Sequence, residues 1–175
     1  MTDKKGLEDL IIRISHNDEN ALSELYFLTK SGIFSFAYSI CGNWHTAEDV
    51  LHDTFIRIKQ YSRNYKQDTN PKAWILTIAK HVSLNRLRSE KHYYYPDTDD
   101  YIKGIAEEDK TSVIEDRLLL DEIFKVLNDN EKQIVTLHAV SGMKHKDIAN
   151  LLDKPYGTVL WTYSNAVKKL KKSIS

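Results

Sequence analysis

Apolar residues recur at spacings of three and four along most of the chain, and this pattern predicts helices throughout. Helices are expected over residues 7–15, 19–41 and 46–61. A fourth begins at Asn70-Pro71, where asparagine is a good cap and proline suits the first helical position. With only six glycines and three prolines, the chain is expected to be all-α.

The third predicted helix carries an unusual residue on its polar face. Thr46, with Asp49 three residues later, suggests a capping box at its start. Its apolar stripe is Ala47, Val50, Leu51, Thr54, Phe55 and Ile58. At about 100° per residue Ile56 lies opposite that stripe, surrounded by Asp49, His52, Asp53 and Gln60. This face is either a docking surface for a partner or one tolerated exposed isoleucine.

The fourth predicted helix has a core stripe of Ile75, Ile78, Ala79 and Val82. One flank of the same helix carries aromatic, polar and cationic side chains. Aromatic, hydroxyl, imidazole and cationic groups beside a polar loop are typical of single-stranded DNA binding. The candidate DNA-binding residues here are Arg63 in the loop over 63–69, then Lys72, Trp74, Thr77, Lys80, His81, Asn85 and Arg88.

Residues 93–111 show no helical period and are rich in acids, so they are expected to be a flexible linker. The linker divides the chain into two small helical domains, residues 1–92 and 112–175. The second should hold helices over 113–127 and 129–140. A helix-turn-helix follows, with Ile148-Ala149 on its first helix and Asp153 in a left-handed turn position.

The final helix has two distinct faces. Its predicted core stripe is Val159, Tyr163, Ala166, Val167, Leu170 and Ile174. The opposite face and its approach supply further candidate DNA contacts: Lys144, Tyr156, Thr158, Trp161, Thr162, Asn165, Lys168, Lys169 and Lys172. Polar groups followed by lysines suit a major-groove recognition helix. The helix dipole alone would favour such lysines, but it does not explain an exposed tryptophan.

Charge is unevenly distributed although the net charge is zero. Residues 1–56 carry nine acidic and four basic side chains, and residues 57–92 carry two and nine. Residues 93–122 carry ten acidic and three basic, and residues 123–175 carry four and nine. Two basic blocks separated by an acidic one indicate two anion-binding surfaces.

Other features narrow the class of protein. Cys41 is the single cysteine, which excludes a disulfide framework within the chain and favours a reducing, intracellular compartment. No signal peptide is expected, and no apolar run is long enough to span a bilayer. Metalloprotease, P-loop and nucleophile-elbow motifs are absent, so neither enzymatic chemistry nor a metal or other cofactor is expected.

The segment Ala47-Glu48-Asp49-Val50-Leu51-His52-Asp53-Thr54-Phe55-Ile56-Arg57 resembles the region-two helix of bacterial RNA polymerase sigma factors of the extracytoplasmic-function class. In that family this helix docks on a coiled coil of the polymerase β′ subunit. The segment over residues 70–88 is similar to the family's segment that reads and helps melt the promoter's minus-ten element. His81 stands where that family usually has Asn, and Asn85 where it has Asp.

Leu127, Gly142, Asp147-Ile148-Ala149, Pro155 and Gly157-Thr158-Val159 resemble the family's region four, which binds the minus-thirty-five element. Asn128 replaces the usual Pro, and several expected cations after Val159 are missing. The resemblance implies a cytoplasmic sigma factor whose partners are core RNA polymerase (β′ and β subunits), promoter DNA and an anti-sigma factor. The alternatives are a helix-turn-helix regulator acting without polymerase and a protein-interaction module.

Overall fold

The computed structural model describes the backbone of residues 3–90 and 110–175 and the side chains of 3–89 and 117–175. Its helices are α1 (Lys4–Ser15), α2 (Glu19–Cys41), α3 (Trp44–Tyr61), α4 (Pro71–Glu90), α5 (Lys110–Val126), α6 (Asp129–Val135), α7 (His145–Leu152) and α8 (Tyr156–Ile174). A 3-10 turn (Ser62–Asn64) follows α3, and a π turn (Thr136–Val140) follows α6. No strand occurs in the described ranges, and the prediction of an all-α fold is confirmed.

The predicted linker, residues 93–111, lies outside the described residues except for its last two positions, which belong to α5. Within the described part of the chain, no helix combines the length and the apolarity needed to cross a membrane.

Short polar side chains set where the N-terminal helices begin. Asp18 accepts a hydrogen bond from the Ala21 amide at the start of α2, and Asn70 accepts one from the Ala73 amide at the start of α4. Gly42, with φ of 66°, ends α2 in the left-handed conformation that glycine adopts without strain.

The predicted start of α3 at Thr46 is wrong, because the helix begins at Trp44. Asn43 caps it, accepting hydrogen bonds from the amide and the hydroxyl of Thr46 at 3.0 and 3.3 Å. Thr46 is therefore a buried residue of the first turn and not the cap.

The N-terminal helices pack around α2, which contacts α1, α3 and α4. The helix α3 also contacts α4, so two of its sides are covered. Phe36 of α2, Ile58 of α3 and Ile75 of α4 are each at most 2% exposed and belong to one hydrophobic cluster. This packing fixes the relative positions of α3 and α4, the two helices that carry the predicted sites.

The C-terminal helices form the predicted helix-turn-helix. A capping box between Asn128 and Glu131 begins α6. Asp153 ends α7 with φ of 56°, the left-handed position expected of it, and α8 starts three residues later. Ile148 and Val159 are fully buried where α7 packs against α8. Ile174, predicted to be core, is 86% exposed because the last turn of α8, like all of residues 171–175, remains in solvent.

Candidate nucleic-acid and protein interfaces

The predicted docking face on α3 is only partly open. Asp49 and Gln60 are exposed, whereas His52, Asp53 and Ile56 are partly buried. The expectation of a fully solvent-facing Ile56 is therefore corrected. Since α2 and α4 both pack against α3, they leave it a narrow outer strip.

An arginine from the neighbouring helix reaches this acidic strip. Arg86 Nη2 lies 3.4 Å from Asp49 Oδ2 and 3.4 Å from Asp53 Oδ2, while its buried Nε has no hydrogen-bond partner. Burial raises the pKa of the Asp53 carboxyl, and the Arg86 guanidinium opposes that rise. Sequence reasoning missed Arg86. The only sequence signal for a cation at this place is that Asp49 and Asp53, four residues apart on α3, have no lysine or arginine between them.

Four of the predicted DNA-binding side chains come together in one groove. A cavity of about 540 Å³ lies between the end of α3 and the outer flank of α4. Trp74, His81, Asn85 and Arg88 line it, and the last three are exposed. The rings of Trp74 and Tyr65 pack edge to face, with centroids 5.3 Å apart and the planes at 72°.

Three further residues line the groove from the end of α3 and the turn after it. Arg57 and Tyr61 were not predicted, and Asn64 lies in the predicted loop. Arg57 and Tyr61 stand four residues apart, a spacing that places them on one side of a helix and could have revealed them. With two guanidinium groups, exposed polar side chains and aromatic faces, this groove has the chemistry for stacked bases and backbone phosphates.

Two predicted lysines of α4 are engaged elsewhere. Lys80 Nζ donates a hydrogen bond of 2.7 Å to the carbonyl oxygen of Leu151, in the last turn of α7. Lys72 lines a separate cavity of about 300 Å³ between α2, α4 and the residues at the end of the π turn, and burial lowers its pKa. In this arrangement neither ammonium group lies in the groove.

Arg63 and Thr77 also bond within the chain. Arg63 Nε donates to the Ser15 carbonyl oxygen at 3.4 Å, although its side chain is exposed. The Thr77 hydroxyl donates to the Ala73 carbonyl oxygen at 2.7 Å and is partly buried. Neither residue lines the groove, and their role as DNA contacts stays a prediction.

On α8 the residues of the predicted recognition face are exposed or partly buried, apart from one that is buried. Tyr156 is 53% exposed and Trp161 is 68% exposed; Thr158 is exposed and Asn165 is partly buried. The placement of Thr162 on this face is wrong, since it is only 8% exposed. It lies three residues after Val159 and four before Ala166, two fully buried residues, and so shares their side of the helix.

The cations of the C-terminal unit divide into free and paired groups. Lys144, Lys168 and Lys172 are exposed. Lys169 instead lies 2.8 Å from Oε1 and 2.9 Å from Oε2 of Glu131 on α6. Burial of Glu131 acts to raise its pKa, but the hydrogen bonds from Lys169 and from the Asn128 amide outweigh this effect, and the pKa is lowered.

Two stacked imidazoles and a tyrosine connect the π turn, α7 and α8. The rings of His138 and His145 stack with centroids 4.0 Å apart, and Tyr163 of α8 meets both edge-on. The Nδ1 of His138 is 2.7 Å from the Met143 carbonyl oxygen. His145 Nε2 is buried without a partner, and burial, followed by the neighbouring His138, lowers the pKa of His145.

Models of one protein family match segments in both halves of the chain. The family model for Sigma-70 region 2 matches residues 28–93, and that for Sigma-70, region 4 matches residues 117–170. The ECF RNA polymerase sigma factor SigW of Bacillus subtilis is 24% identical, over 94% of this chain and 94% of its own length. The ECF RNA polymerase sigma factor BldN of Streptomyces coelicolor is 23% identical, over 98% of this chain and 67% of its own length.

Solved structures share the fold across both halves. CnrH, in complex with the cytosolic domain of CnrY, matches with a TM-score of 0.65 at 17% identity, covering 95% of this chain and 96% of its own. The sigma factor RpoE, in complex with the anti-sigma factor NepR from Bartonella quintana, has a TM-score of 0.58 at 20% identity, covering 85% and 92%. The chain therefore belongs to the sigma-70 family of RNA polymerase sigma factors, in its extracytoplasmic-function class.

Proposed function

We propose that this chain binds core RNA polymerase through the acidic strip of α3 and holds the opened minus-ten strand in the groove between α3 and α4. The observation that carries the proposal is the position of the groove. Trp74, His81 and Arg88 of α4 face Arg57 and Tyr61 of α3, the helix that also bears the acidic strip. One helix would therefore connect polymerase docking to strand capture.

The C-terminal unit would contact duplex DNA through the start of α8. Its exposed Thr158 and Trp161 and the partly buried Asn165 include no arginine, so a bidentate contact to guanine is not available from this face. Asn165 is suited to adenine, and Trp161 to the methyl group of thymine. We therefore expect an upstream element that leans toward A·T pairs.

The expected partners follow from this assignment. They are the β′ and β subunits of core polymerase, promoter DNA and an anti-sigma factor, the last because one similar solved structure is a sigma factor bound to one. Because bacterial transcription takes place in the cytoplasm, the chain would act there. Its contribution would be binding and strand separation without catalysis of its own.

The test is reconstitution with core polymerase from the bacterium that encodes the chain. The parent chain should co-purify with the core enzyme and start transcripts at a defined set of promoters. Ile56→Glu should reduce co-purification at least tenfold, because it replaces the apolar residue of the docking strip with a charged group that contact with a partner would have to desolvate. The control is Lys5→Ala, an exposed change on α1. Undiminished co-purification of the Ile56→Glu chain, with helicity unchanged by circular dichroism, would refute the docking assignment.

The groove has its own readout. Arg88→Ala should leave polymerase binding intact but reduce permanganate reactivity of thymines in the opened minus-ten region several-fold, since a phosphate partner is removed. Normal strand opening by this variant would contradict the groove assignment. Specific duplex binding by the free chain, with no dependence on polymerase, would favour the alternative of a helix-turn-helix regulator.

A further inference from the structure

The cavity that Lys72 lines is separate from the DNA groove and lies beside the hydrophobic core. Its volume is about 300 Å³, and residues of α2, of α4 and of the segment that ends the π turn line it. One lining residue, Ile33, belongs to the same hydrophobic cluster as Phe36, Ile134 and Leu137, and all four are at most 1% exposed. We call this space the aliphatic cavity, and packed core residues support its walls.

The walls of the aliphatic cavity are suited to a chain of methylene groups. Among the described residues that line it there is no aromatic side chain, whereas a flat ring such as a nucleobase is usually stacked on one. Branched aliphatic side chains supply most of the apolar surface, which a ligand gains by covering. They are Leu7, Leu28, Ile33, Ile75, Leu76 and Val140.

One cation stands in this aliphatic surrounding. Lys72 is the single charged residue among the described residues that line the cavity, and it is partly buried. Burial lowers the pKa of its ammonium group, and no carboxylate of the described chain contributes to offset that effect. An ammonium group that has lost water without gaining a counter-ion favours the approach of an anion.

A second polar residue of the same cavity lacks a partner. The Ser141 hydroxyl oxygen is buried and has no hydrogen-bond partner among the described residues. It lies against α2, because a Cβ at Gly32 would be only 2.7 Å from it. A buried hydroxyl without a partner costs free energy, and an acceptor supplied by a ligand would remove that cost.

The volume of the cavity limits the length of the ligand. One water molecule occupies about 30 Å³ in the liquid, so 300 Å³ holds about ten groups of that size. An unbranched carboxylate of about eight carbons has about ten non-hydrogen atoms and would fill this space. A small inorganic anion would satisfy Lys72 but leave the aliphatic walls uncovered.

We propose that the aliphatic cavity binds an unbranched aliphatic carboxylate of about eight carbons, whose carboxylate accepts hydrogen bonds from the Lys72 ammonium group and the Ser141 hydroxyl. Lys72 was predicted from sequence to contact DNA, and here it contacts this ligand instead. The cavity shares no lining residue with the DNA groove. The inference goes beyond the proposed function, and its test needs neither polymerase nor DNA.

Equilibrium dialysis of the free full chain against radiolabelled octanoate measures this binding. We expect saturation at about one octanoate per chain with a Kd of about 1 mM or lower, a modest affinity for about ten non-hydrogen atoms. Unlabelled hexanoate, which lacks two methylene groups, should compete about fifteenfold more weakly, at about fourfold per methylene. Octan-1-ol and octylamine should compete at least tenfold more weakly than octanoate, and inorganic phosphate should not compete.

Variants test the two polar residues. Lys72→Met keeps an apolar side chain without the charge and should weaken octanoate binding at least tenfold. Ser141→Ala should weaken it several-fold without lowering Tm, since it removes no hydrogen bond that the free chain makes. The matched control is Lys5→Met, a change at an exposed lysine of α1, which should bind octanoate as the parent does.

Each contrary result would overturn the proposal. The parent chain would then show no saturable octanoate binding, or would bind octan-1-ol as well as octanoate, or would release octanoate to phosphate. Unchanged binding by Lys72→Met would exclude this cavity as the site. If circular dichroism shows that Lys72→Met does not fold, Ser141→Ala decides, because full affinity in that variant also contradicts the assignment.

Discussion

Replacing Lys169 should weaken the fold of the C-terminal unit, although its position in a lysine-rich turn predicts a contact with DNA. The Lys169 ammonium lies within 2.9 Å of both carboxylate oxygens of Glu131, whose side chain is 5% exposed. Lys169→Ala would leave that carboxylate with the Asn128 amide as its remaining described hydrogen-bond donor. Hydrogen bonds to charged groups contribute about 1.5–3 kcal/mol, and the 47% exposure of Lys169 places this pair at the lower end.

A loss of about 1.5 kcal/mol corresponds to a fall in Tm of about 3–6 °C for a chain of this length. Circular dichroism melts of the full chain give the comparison. The matched control is Lys168→Ala, an exposed neighbour without an ion pair among the described residues, which should change the free energy of unfolding by less than about 0.5 kcal/mol. In a Glu131→Gln background, Lys169→Ala should also cost less than about 0.5 kcal/mol.

Binding of holoenzyme to promoter DNA at several salt concentrations provides the second readout. Lys168→Ala should lower the salt slope by about one, as expected for one lost phosphate contact. Lys169→Ala should leave that slope nearly unchanged below its melting temperature. Equal melting temperatures for the two single variants, or fully additive effects of Glu131→Gln and Lys169→Ala, would refute the structural role of the pair.

Three further outcomes are expected. Arg86→Gln removes a cation from the acidic strip, so association with core polymerase at low salt should become several-fold faster; slower association would contradict this. Because the pKa of His145 is lowered, the unfolded chain binds its proton more readily, and stability should be full above about pH 6.5 and fall below it. His145→Phe should flatten that dependence in melts between about pH 5 and pH 7, and an unchanged slope would show that another group is responsible. Asn165→Ala should relax base preference at one position by about 1–3 kcal/mol in a promoter library selected with holoenzyme, and an unchanged profile would exclude that contact.

Local features of the fold followed directly from sequence because their causes lie within a few residues. Asn70 caps α4 and Asp153 takes the left-handed turn position, both as predicted. The start of α3 is misassigned because two polar residues three positions apart, Asn43 and Thr46, could each cap it, and Asn43 is the one that does. Thr162 was placed on the wrong face because its polarity suggested solvent, whereas its spacing from Val159 and Ala166 placed it at the edge of the core.

The groove was only partly predictable, and contacts between distant helices were not. Trp74, His81, Asn85 and Arg88 share one side of α4, so their periodicity brought them together. The partners of Lys80 and Lys169 lie 71 and 38 residues away, at distances set by how the helices pack. A pattern along one helix reports which residues are neighbours on that helix, and it contains nothing about the carbonyl or carboxylate that another helix supplies.

The common core also has a consequence for biosynthesis. Ile33 and Phe36 of α2 share a cluster with Ile134 and Leu137, which leave the ribosome about 100 residues later. At a synthesis rate of about 5–20 residues per second, the apolar face of α2 would stay exposed for about 5–20 s before the residues that pack on it are made. Nascent chains that stop before α6 would retain this uncovered face, so truncated products should depend on chaperones or proteases to stay out of aggregates.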